Sequence, residues 1–585
     1  MSIRKLNLAL AALGVMSLAI AGMTSAATPS SSKFTWSTVV NNNDLMPPAN
    51  EKNFNSYNQP SVNKRGLVVM RARSRGGEGD SGQGGETVGT NANSGNQPVH
   101  GIYTRDMSVA HGPIDKILDR KTEVPPPNNA HYPPKNPLLT TFIETPSFPR
   151  IDMTSDTVAT RGNHQPVWIY GDEGDEMRAG TTGIYTNPFG TLITGASKLG
   201  AVPGFEFLAV PGTAPPITFD VFPGAPAVTG GSTLVFKGNY SLDGLGKTGV
   251  FYRNLESVDA GGMSNPVLIA NNADTRIPGT TRVFGSTSPP SAANGKVVFA
   301  GFDNEDNPTL GGIYLAPIKE YDPLSRQPNL RTIVRIGGPV PGEWGSVFNK
   351  LGEGVAFDGR YVAFWGAWGR KLRTISLHCP AEGNKDRIAF CLTQCPEPQG
   401  CSATVPVSQG IFLHDTKTAK TLVVAKAPKN YSDFLFWNFS GMVPGVGGGE
   451  DDNEEETETA RWRSSVFVAV SGERTAFKAM SGNRLGIYVS EKPGKQPITV
   501  LNDGMDGQQL DPEAPFGSTL TEMGLEREGL RGDWLVVSAK MEVAGGTEED
   551  GMAGIYITRL PGAPQCSPFN PFQWLPKCSS LTGDH

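Results

Sequence analysis

A three-residue motif, Gly-Ile-Tyr or a close variant of it, returns seven times along the chain. Its glycines are Gly101, Gly183, Gly249, Gly312, Gly410, Gly486 and Gly554. Recurrence at a spacing of tens of residues is typical of folds built from similar units placed side by side. The motif therefore predicts seven units in one body, although 585 residues alone would suggest several domains.

Each unit has the pattern of short β-strands. Before the motif, a strand ends in two apolar or small residues, a variable residue, and then Gly or Ala, as in Val235-Phe236-Lys237-Gly238. After the motif comes a further apolar strand such as Val267-Leu268-Ile269. Val, Ile, Phe and Tyr between turn residues indicate strands, and 71 Gly, 47 Pro and only 18% charged residues fit many strands joined by turns.

The seventh unit lacks its last strand after Ile555-Tyr556, and the missing strand is predicted at the opposite end of the chain. Residues 34–40 are apolar and β-branched, and the following Asn41-Asn42-Asn43-Asp44 resembles the linker Asn271-Asn272-Ala273-Asp274 after another last strand. A leading strand that completes the final unit closes a ring and leaves no sheet edge unpaired.

Seven four-stranded units closed in this way resemble a seven-bladed β-propeller, an all-β fold. The paired signatures, Val-x-Phe-x-Gly and then Gly-Ile-Tyr, resemble repeats of secreted bacterial propeller proteins without an assigned role. The resemblance covers residues 33–560 and implies the fold, but it says little about activity because propellers host many unrelated functions.

The chain ends are expected to be separate from the ring. Residues 1–27 have the features of a signal peptide: Arg4 and Lys5, an apolar run, and small residues around Ala26. Cleavage would lower the formal net charge by two, from −6 to −8. We therefore expect an exported bacterial protein, periplasmic or extracellular, with no membrane span after cleavage and no nucleic-acid partner. Residues 561–585 form a predicted C-terminal tail, and the oligomeric state stays open.

The six cysteines predict disulfides, because their number is even and the expected compartment is oxidising. Cys566 and Cys578 are the expected local pair in the tail. Cys379, Cys391, Cys395 and Cys401 lie within one insertion, and their three alternative pairings stay open. A zinc site of these four with His378 is disfavoured by the spacing.

The long loops are predicted to lie on one face of the ring. Strands alternate in direction, so the loop between the second and third strands emerges on the same face as the link to the next blade. The long segments belong to this loop-bearing face: 74–100, 121–147, 163–182, 367–409, 426–465 and 501–519. Loops on one rim of a rigid scaffold are where binding sites usually develop.

Aromatic residues in these loops are the candidate ligand contacts: Trp168, Trp368, Phe436 and Trp437. Exposed rings offer flat platforms for sugars or for a protein partner, whereas buried rings would only hold the loops onto the ring. Phe205, Phe207 and Trp344 lie beside Pro-Gly turns, and we expect these three to be structural.

Titratable loop residues offer two further sites. Asp303, Glu305 and Asp306 are weak calcium candidates, because hard cations require several oxygen ligands; a solvated acidic turn is the favoured interpretation, and no cofactor is otherwise expected. His131, His164, Tyr170 and Arg161 are weak candidates for the base, acid and cation of a polysaccharide lyase. No nucleophile elbow, zinc-peptidase motif, phosphate loop or dinucleotide fingerprint is present.

The sequence thus favours a secreted, non-enzymatic propeller that binds a glycan or an exported protein through its loop-bearing face. The alternative is an extracellular polysaccharide lyase or hydrolase that uses the His and Tyr residues of the rim. A purely architectural ring is a third hypothesis.

Overall fold

A computed structural model describes residues 34–47, 52–75, 99–129, 140–145, 147–165, 168–170, 177–179, 182–256, 264–318, 327–380, 385–441, 443–444, 459–547 and 550–561. For residues 165, 168–170 and 177–179 only the strand backbone is described. The expected signal peptide and the pair Cys566 and Cys578 lie outside the described residues, as does His131.

The described strands form seven antiparallel sheets of four or five strands, which are the blades of a seven-bladed β-propeller, and two added two-stranded hairpins. The chain begins with β1 (Trp36–Asn41), which belongs to blade 7. Blade 1 contains β2 (Phe54–Tyr57), β3 (Ser61–Val62), β4 (Leu67–Ser74), β5 (His100–Asp106) and β6 (Ile114–Asp119). Blade 2 contains β7 (Thr141–Glu144), β8 (Arg150–Ile151), β9 (Val158–Gln165), the added hairpin β10 (Trp168–Tyr170) and β11 (Met177–Ala179), then β12 (Thr182–Thr186) and β13 (Ile193–Ser197). Blade 3 contains β14 (Ala227–Thr229), β15 (Thr233–Leu242), β16 (Leu245–Asn254) and β17 (Val267–Asn271).

The remaining blades follow the same order. Blade 4 contains β18 (Ser286–Thr287), β19 (Ser291–Ala293), β20 (Lys296–Phe302), β21 (Gly311–Pro317) and β22 (Arg331–Arg335). Blade 5 contains β23 (Phe348–Leu351), β24 (Ala356–Phe357), β25 (Tyr361–Leu377), helix α1 (Lys385–Gln394), β26 (Cys401–Asp415) and β27 (Lys420–Ala427). Blade 6 contains the added hairpin β28 (Phe436–Ser440) and β29 (Arg461–Ser465), then β30 (Val468–Ser471), β31 (Arg474–Ser481), β32 (Arg484–Ser490) and β33 (Ile498–Asn502). Blade 7 contains β34 (Ser518–Gly524), β35 (Leu530–Arg531), β36 (Trp534–Val543) and β37 (Met552–Arg559). Short 3-10 helices lie at Lys198–Ala201, Glu206–Leu208 and Gly507–Gln509.

The predicted closure of the ring is confirmed. β1 pairs antiparallel with β37, with Trp36 opposite Thr558 and Val40 opposite Ile555. The register shifts by one residue between Thr38 and Val40, opposite the seventh Gly-Ile-Tyr motif, and the corresponding shift occurs in the other blades, for example at Ile102 and Tyr103. β1 therefore occupies the fourth-strand position of blade 7.

Packing explains the composition of the repeat, as blade 3 illustrates. The rings of Phe219 and Phe251 meet edge to face at 5.0 Å. A Cβ added to Gly238 would lie 2.7 Å from the Phe219 ring, and one added to Gly249 would lie 2.9 Å from the Phe251 ring. Glycine is therefore required at both positions, because the aromatic pair lies directly over the two facing strands.

The first strand of every blade is interrupted in its middle. In five blades two separate segments pair with the same second strand, as β2 and β3 both pair with β4. In blades 3 and 6 the outer segment is a single bridge, Val221 with Asn239 and Asp433 with Met480. In each blade the second of the two segments contacts its counterparts in the neighbouring blades, and together these segments surround the axis. They are β3, β8, β14, β19, β24, β30 and β35.

Two loop assignments from the sequence are wrong. Because Asp433 already pairs with Met480, residues 434–467 interrupt the first strand of blade 6, whereas the sequence placed 426–465 in the link between blades. Segment 367–409 is not an open loop, since β25 and β26 continue to Leu377 and Cys401 as an extended hairpin closed by α1.

Candidate functional site

The centre of the ring is filled by residues 525–531, which we call the central plug; they comprise the connection after β34 and the short strand β35 of blade 7. The backbone N–H of Val62 in blade 1 donates to Glu528 O at 3.0 Å. Arg527 Nη1 donates to the carbonyls of Pro289 and Pro290 in blade 4 at 3.1 and 3.2 Å. Arg531 donates to Val470 O in blade 6 and Phe357 O in blade 5 at 2.9 and 3.1 Å. The plug thus holds distant blades to one another.

Buried charges fix the plug. Arg150 of β8 forms an ion pair with Glu526 at 3.0 Å and another with Glu528, and Ser291 Oγ donates to Glu528 at 3.2 Å. Burial tends to raise the pKa of Glu526, but the charges of Arg150 and Arg527 outweigh it and leave that pKa lowered. The carboxylate is therefore held ionised in the interior.

Charged side chains of four other blades act electrostatically on Glu353 of blade 5. Lys237 of blade 3, Glu305 of blade 4, Arg463 of blade 6 and Arg527 of blade 7 lie within electrostatic reach of this carboxyl from blade 5. We call these five residues the charged cluster. It contains three cations and two carboxylates, whereas the whole chain is net acidic.

The Glu353 carboxyl has a raised pKa. It lies between Gly352 and Gly354 in the interruption of the first strand and is exposed to solvent. Surrounding protein desolvates it and raises the pKa; Lys237 opposes this shift and Glu305 adds to it. A carboxyl with a perturbed pKa in a cleft is a candidate functional group.

The second strand of each blade has a variable residue just before its final Gly or Ala, and this position carries further positive charge. It is basic in four blades, as Arg71, Arg161, Lys237 and Lys478. Three of these reach the first strand of the following blade: Arg71 Nε donates to Thr145 Oγ1 at 3.2 Å, Arg161 Nη1 to Phe222 O at 3.2 Å, and Lys478 Nζ to Met523 O at 2.8 Å. The side chain at this position of the repeat therefore lies between neighbouring blades and contacts the first strand of the next one.

The calcium candidates face a cation instead. Arg461 in β29 pairs with Asp306 at 2.9 Å and approaches Glu305 at 3.8 Å. Asp303 accepts hydrogen bonds from Thr309 N and Leu310 N at 2.9 and 2.8 Å, which closes a turn. Two insertions, from blades 4 and 6, thus meet across blade 5 beside the charged cluster.

The four cysteines of the blade 5 insertion form the disulfides Cys379–Cys391 and Cys395–Cys401. Cys391 and Cys395 are buried together with Phe439 and Ala460 of the blade 6 insertion. This choice among the three pairings leaves none of the four as a thiolate for zinc. The two insertions form one packed unit on the loop-bearing face.

The aromatic candidates separate into buried and accessible rings. Trp368 is only 6% exposed and packs edge to face on Phe412 at 5.9 Å, so it is part of the core and not a platform for ligand. Phe436 is half-buried, with Lys478 Nζ 4.5 Å from its ring centroid, and Trp437 is also half-buried. The side chain of Trp168 lies outside the described residues.

The three aromatics expected to be structural also differ. Phe205 and Phe207 pack against a small core of Leu199, Val202 and Leu208. Trp344, in contrast, is fully exposed at 103%. The Pro-Gly turn beside Trp344 projects the ring outward, so its expected structural role is wrong.

The lyase candidates are not brought together in the described residues. His164 is 1% exposed and lies with its ring centroid 6.3 Å from that of Tyr185; burial lowers its pKa to about 3. Arg161 binds a backbone carbonyl of blade 3. His131 and the side chain of Tyr170 lie outside the described residues. A substrate could not reach the His164 ring in this arrangement.

Comparisons with known proteins leave the family unassigned. No family model matches the chain, and neither does any curated protein. Among solved structures, the polysaccharide lyase Uly1 is similar at 9% identity over 88% of this chain and 94% of that one, with a TM-score of 0.38. The Bombyx mori GH32 β-fructofuranosidase BmSUC1 is similar at 9% identity over 86% and 88%, with a TM-score of 0.23. The fructan 1-exohydrolase IIa from Cichorium intybus is similar at 9% identity over 88% and 84%, also at 0.23. Likenesses at this level carry no argument about activity, so the resemblance to secreted bacterial propellers stays a prediction.

The charged cluster was missed in the sequence because its members are far apart and belong to no motif. Lys237 and Arg527 are separated by most of the ring. One feature of the sequence could have indicated positive charge near the axis: the variable residue of the second strand is basic in four repeats. Glu353, between two glycines, has no counterpart in the repeat that would have marked it.

Proposed function

We propose that this propeller binds an acidic polysaccharide at the charged cluster, in the centre of its loop-bearing face. The observation that carries the proposal is the convergence of Lys237, Arg463 and Arg527 around one accessible carboxyl whose pKa is raised. A group of cations in an otherwise acidic protein attracts an anionic chain.

Binding is tested with a matched pair of ligands, polygalacturonate and its methyl ester, which differ in charge but share the backbone. We expect the acid form to bind and the ester to bind at least about tenfold more weakly, with an affinity that falls as salt rises. Equal binding of both forms, or of neither, would refute the proposal.

Variants locate the site. Lys237→Gln and Arg463→Gln should each weaken binding of polygalacturonate by about three- to tenfold. Lys420→Gln makes the same charge change at an exposed position where β27 begins, on the opposite face, and should leave affinity unchanged. Equal effects from Lys420→Gln would indicate unspecific attraction.

A hydrolase is the second candidate, and one observation favours it. Glu353 with its raised pKa could act as a general acid, and Glu305 is a second carboxylate within its electrostatic reach. Incubation with polygalacturonate decides between binding and catalysis: new reducing ends indicate hydrolysis, and absorbance from unsaturated ends indicates a lyase. If either signal appears and is lost in Glu353→Gln, the protein is an enzyme.

Export is also proposed, with residues 1–27 as the signal peptide, 33–560 as the propeller and 561–585 as a tail. The two disulfides support it, because such bonds persist in oxidising compartments. None of the helices in the described part of the chain has the length and hydropathy of a membrane span. The N-terminal sequence of the mature protein from a periplasmic or culture fraction would test the cleavage site.

A further inference from the structure

A second cleft lies on the loop-bearing face where the ring closes, and it shares no residue with the charged cluster. Its volume is about 580 Å³, and its lining comes from the segment after β1, from blade 1 and from blade 7. Clefts of several hundred Å³ are the size that small-molecule ligands occupy. We call it the seam cleft.

Amide side chains dominate the lining of the seam cleft: Asn42, Asn43, Asn53 and Asn55. Each amide can both donate and accept, as a sugar hydroxyl requires. Asn53 Nδ2 donates to Asn42 O at 2.9 Å, which fixes one amide in place. The Oδ1 atom of Asn42 is buried and has no hydrogen-bond partner among the described residues. The amides that a ligand in the cleft can reach are those of Asn43, Asn53 and Asn55, which are exposed or half-buried.

One carboxylate is positioned beside these amides. Glu513 Oε2 accepts from Asn43 Nδ2 at 2.9 Å and from Asn41 Nδ2 at 3.1 Å. These hydrogen bonds stabilise the ionised form, so Glu513 can accept from ligand hydroxyls but repels an anionic ligand. Lys52 and Arg75 also line the cleft, and both have interaction partners within the protein.

An exposed aromatic residue follows the lining of the seam cleft in the chain. Pro515 lines it, and the adjacent Phe516 is 90% exposed. Leu45, on the same linker as Asn42, is 60% exposed. A sugar presents C–H groups on its face and hydroxyls around its edge, so an exposed ring suits its face and amides suit its hydroxyls.

We propose that the seam cleft is a binding site for neutral oligosaccharides, with one sugar ring on Phe516 and its hydroxyls at Asn43, Asn55 and Glu513. This site is additional to the proposed function and does not depend on it. It differs from the charged cluster in its lining, because four amides face this cleft and its two cations already have partners within the protein, whereas the cluster consists of charged side chains.

The test titrates the mature full-length protein, by calorimetry, with cello-, xylo-, manno- and malto-oligosaccharides and with oligogalacturonate. We expect at least one neutral series to bind and to raise the melting temperature with concentration, because a ligand that contacts both ends of the ring stabilises its closed form. Phe516→Ala and Asn55→Ala should weaken that binding by about fivefold or more.

Two controls make the result decisive. Trp344→Ala removes an equally exposed ring from another linker of the same face and should leave affinity within about twofold. Lys237→Gln should leave neutral binding unchanged, so failure at the charged cluster and at the seam cleft can be told apart. The proposal is overturned by absence of neutral binding across the panel, by binding of oligogalacturonate alone, or by neutral binding that survives Phe516→Ala and Asn55→Ala.

Discussion

Glu353 shows how one residue acquires its properties from its place in the ring. It lies in the interruption of a first strand, where the backbone turns toward the axis, and Gly354 beside it packs so closely on Val466 O that an added Cβ would lie at 2.5 Å. Charged side chains of four other blades act on it electrostatically. Desolvation by the surrounding protein, with a smaller contribution from Glu305, raises its pKa.

The raised pKa of Glu353 predicts a pH-dependent affinity for anionic chains. Its negative charge repels such a ligand and disappears as the pH falls through the raised pKa, so binding should strengthen toward acid pH. We expect Glu353→Gln to bind about two- to fivefold more tightly than the native protein at pH 7 and to lose the pH dependence. The measurement is the dissociation constant for dextran sulfate, which stays ionised, between about pH 4.5 and 7.5.

Glu473→Gln serves as the matched control, because Glu473 is exposed in a turn on the opposite face. It should keep the native pH profile. A flat profile in the native protein, or an identical profile in Glu353→Gln, would separate Glu353 from the ligand.

At the scale of elements, the interrupted first strand is the feature that shapes the loop-bearing face. In blade 6 the interruption holds the hairpin β28–β29, and in blade 5 the second and third strands extend into the disulfide-bonded segment with α1. The two insertions pack through Cys391, Cys395, Phe439 and Ala460. They enlarge the face without altering the blades, because β28–β29 lies in an interruption of the first strand and the β25–β26 hairpin extends past the end of β23.

Removal of one disulfide should therefore loosen the insertions and leave the ring intact. In the double variant Cys395→Ser with Cys401→Ser, we expect faster hydrogen exchange in α1 and in β28–β29, and unchanged exchange in blades 1–4. The loop closed by this bond is short, so its entropic contribution is small, about 2–3 kcal/mol and confined to this unit. Hydrogen-exchange mass spectrometry resolves these segments, and a uniform increase over all blades would contradict a local role.

For the whole molecule, closure depends on the contact between the two ends of the chain. Val39 and Val40 are completely buried between blades 7 and 1, in a cluster with Val62, Val536 and Ile555. The closing strand thus contributes core as well as hydrogen bonds. A ring opened at this point would expose the edge of β37.

Val39→Asp should open the ring, because it places an unpaired carboxylate in this core. We expect a loss of about 3 kcal/mol or more of unfolding free energy and a tendency to associate through the freed edge. Ser37→Asp introduces the same side chain at an exposed position of the same strand and should cost less than about 1 kcal/mol. Thermal unfolding and light scattering measure both effects; equal loss in the two variants would argue against packing as the cause.

The central plug predicts a second effect on the whole ring. Arg150→Met leaves Glu526 and Glu528 buried without their main partner, and should cost about 3–5 kcal/mol. Arg360→Met, which breaks an exposed two-bond pair with Asp415, should cost less than about 1 kcal/mol.

The pH dependence of stability distinguishes a loss of charge pairing in Arg150→Met from a loss of packing. In the native protein the pKa of Glu526 is lowered, so its stabilising contribution is present at neutral pH and is lost as the pH falls. In Arg150→Met the Glu526 carboxyl loses the partner that most lowers its pKa and is protonated more readily, so the deficit relative to the native protein should shrink from pH 7 toward pH 4. A deficit that stays constant with pH would assign it to packing instead of charge.

Much of the architecture could be predicted because it repeats. The Gly-Ile-Tyr motif sets aromatic rings over glycines in successive blades, and such local requirements stay visible in the sequence. The closing strand was visible for the same reason, since Phe34 to Asp44 resembles an internal fourth strand with its linker. The course of the blade 6 insertion was not visible, because only pairing between Asp433 and Met480 shows where the first strand begins.

The sequence by itself determined the seven blades, their order and the closure of the ring, because each rests on a local pattern repeated along the chain. Only the tertiary structure decided which disulfides form, that Trp368 is core while Trp344 and Phe516 are exposed, and that Lys237, Glu353, Arg463 and Arg527 meet. The physical reason is that the first strands of all blades converge on one axis, which brings together side chains that are hundreds of residues apart in the chain.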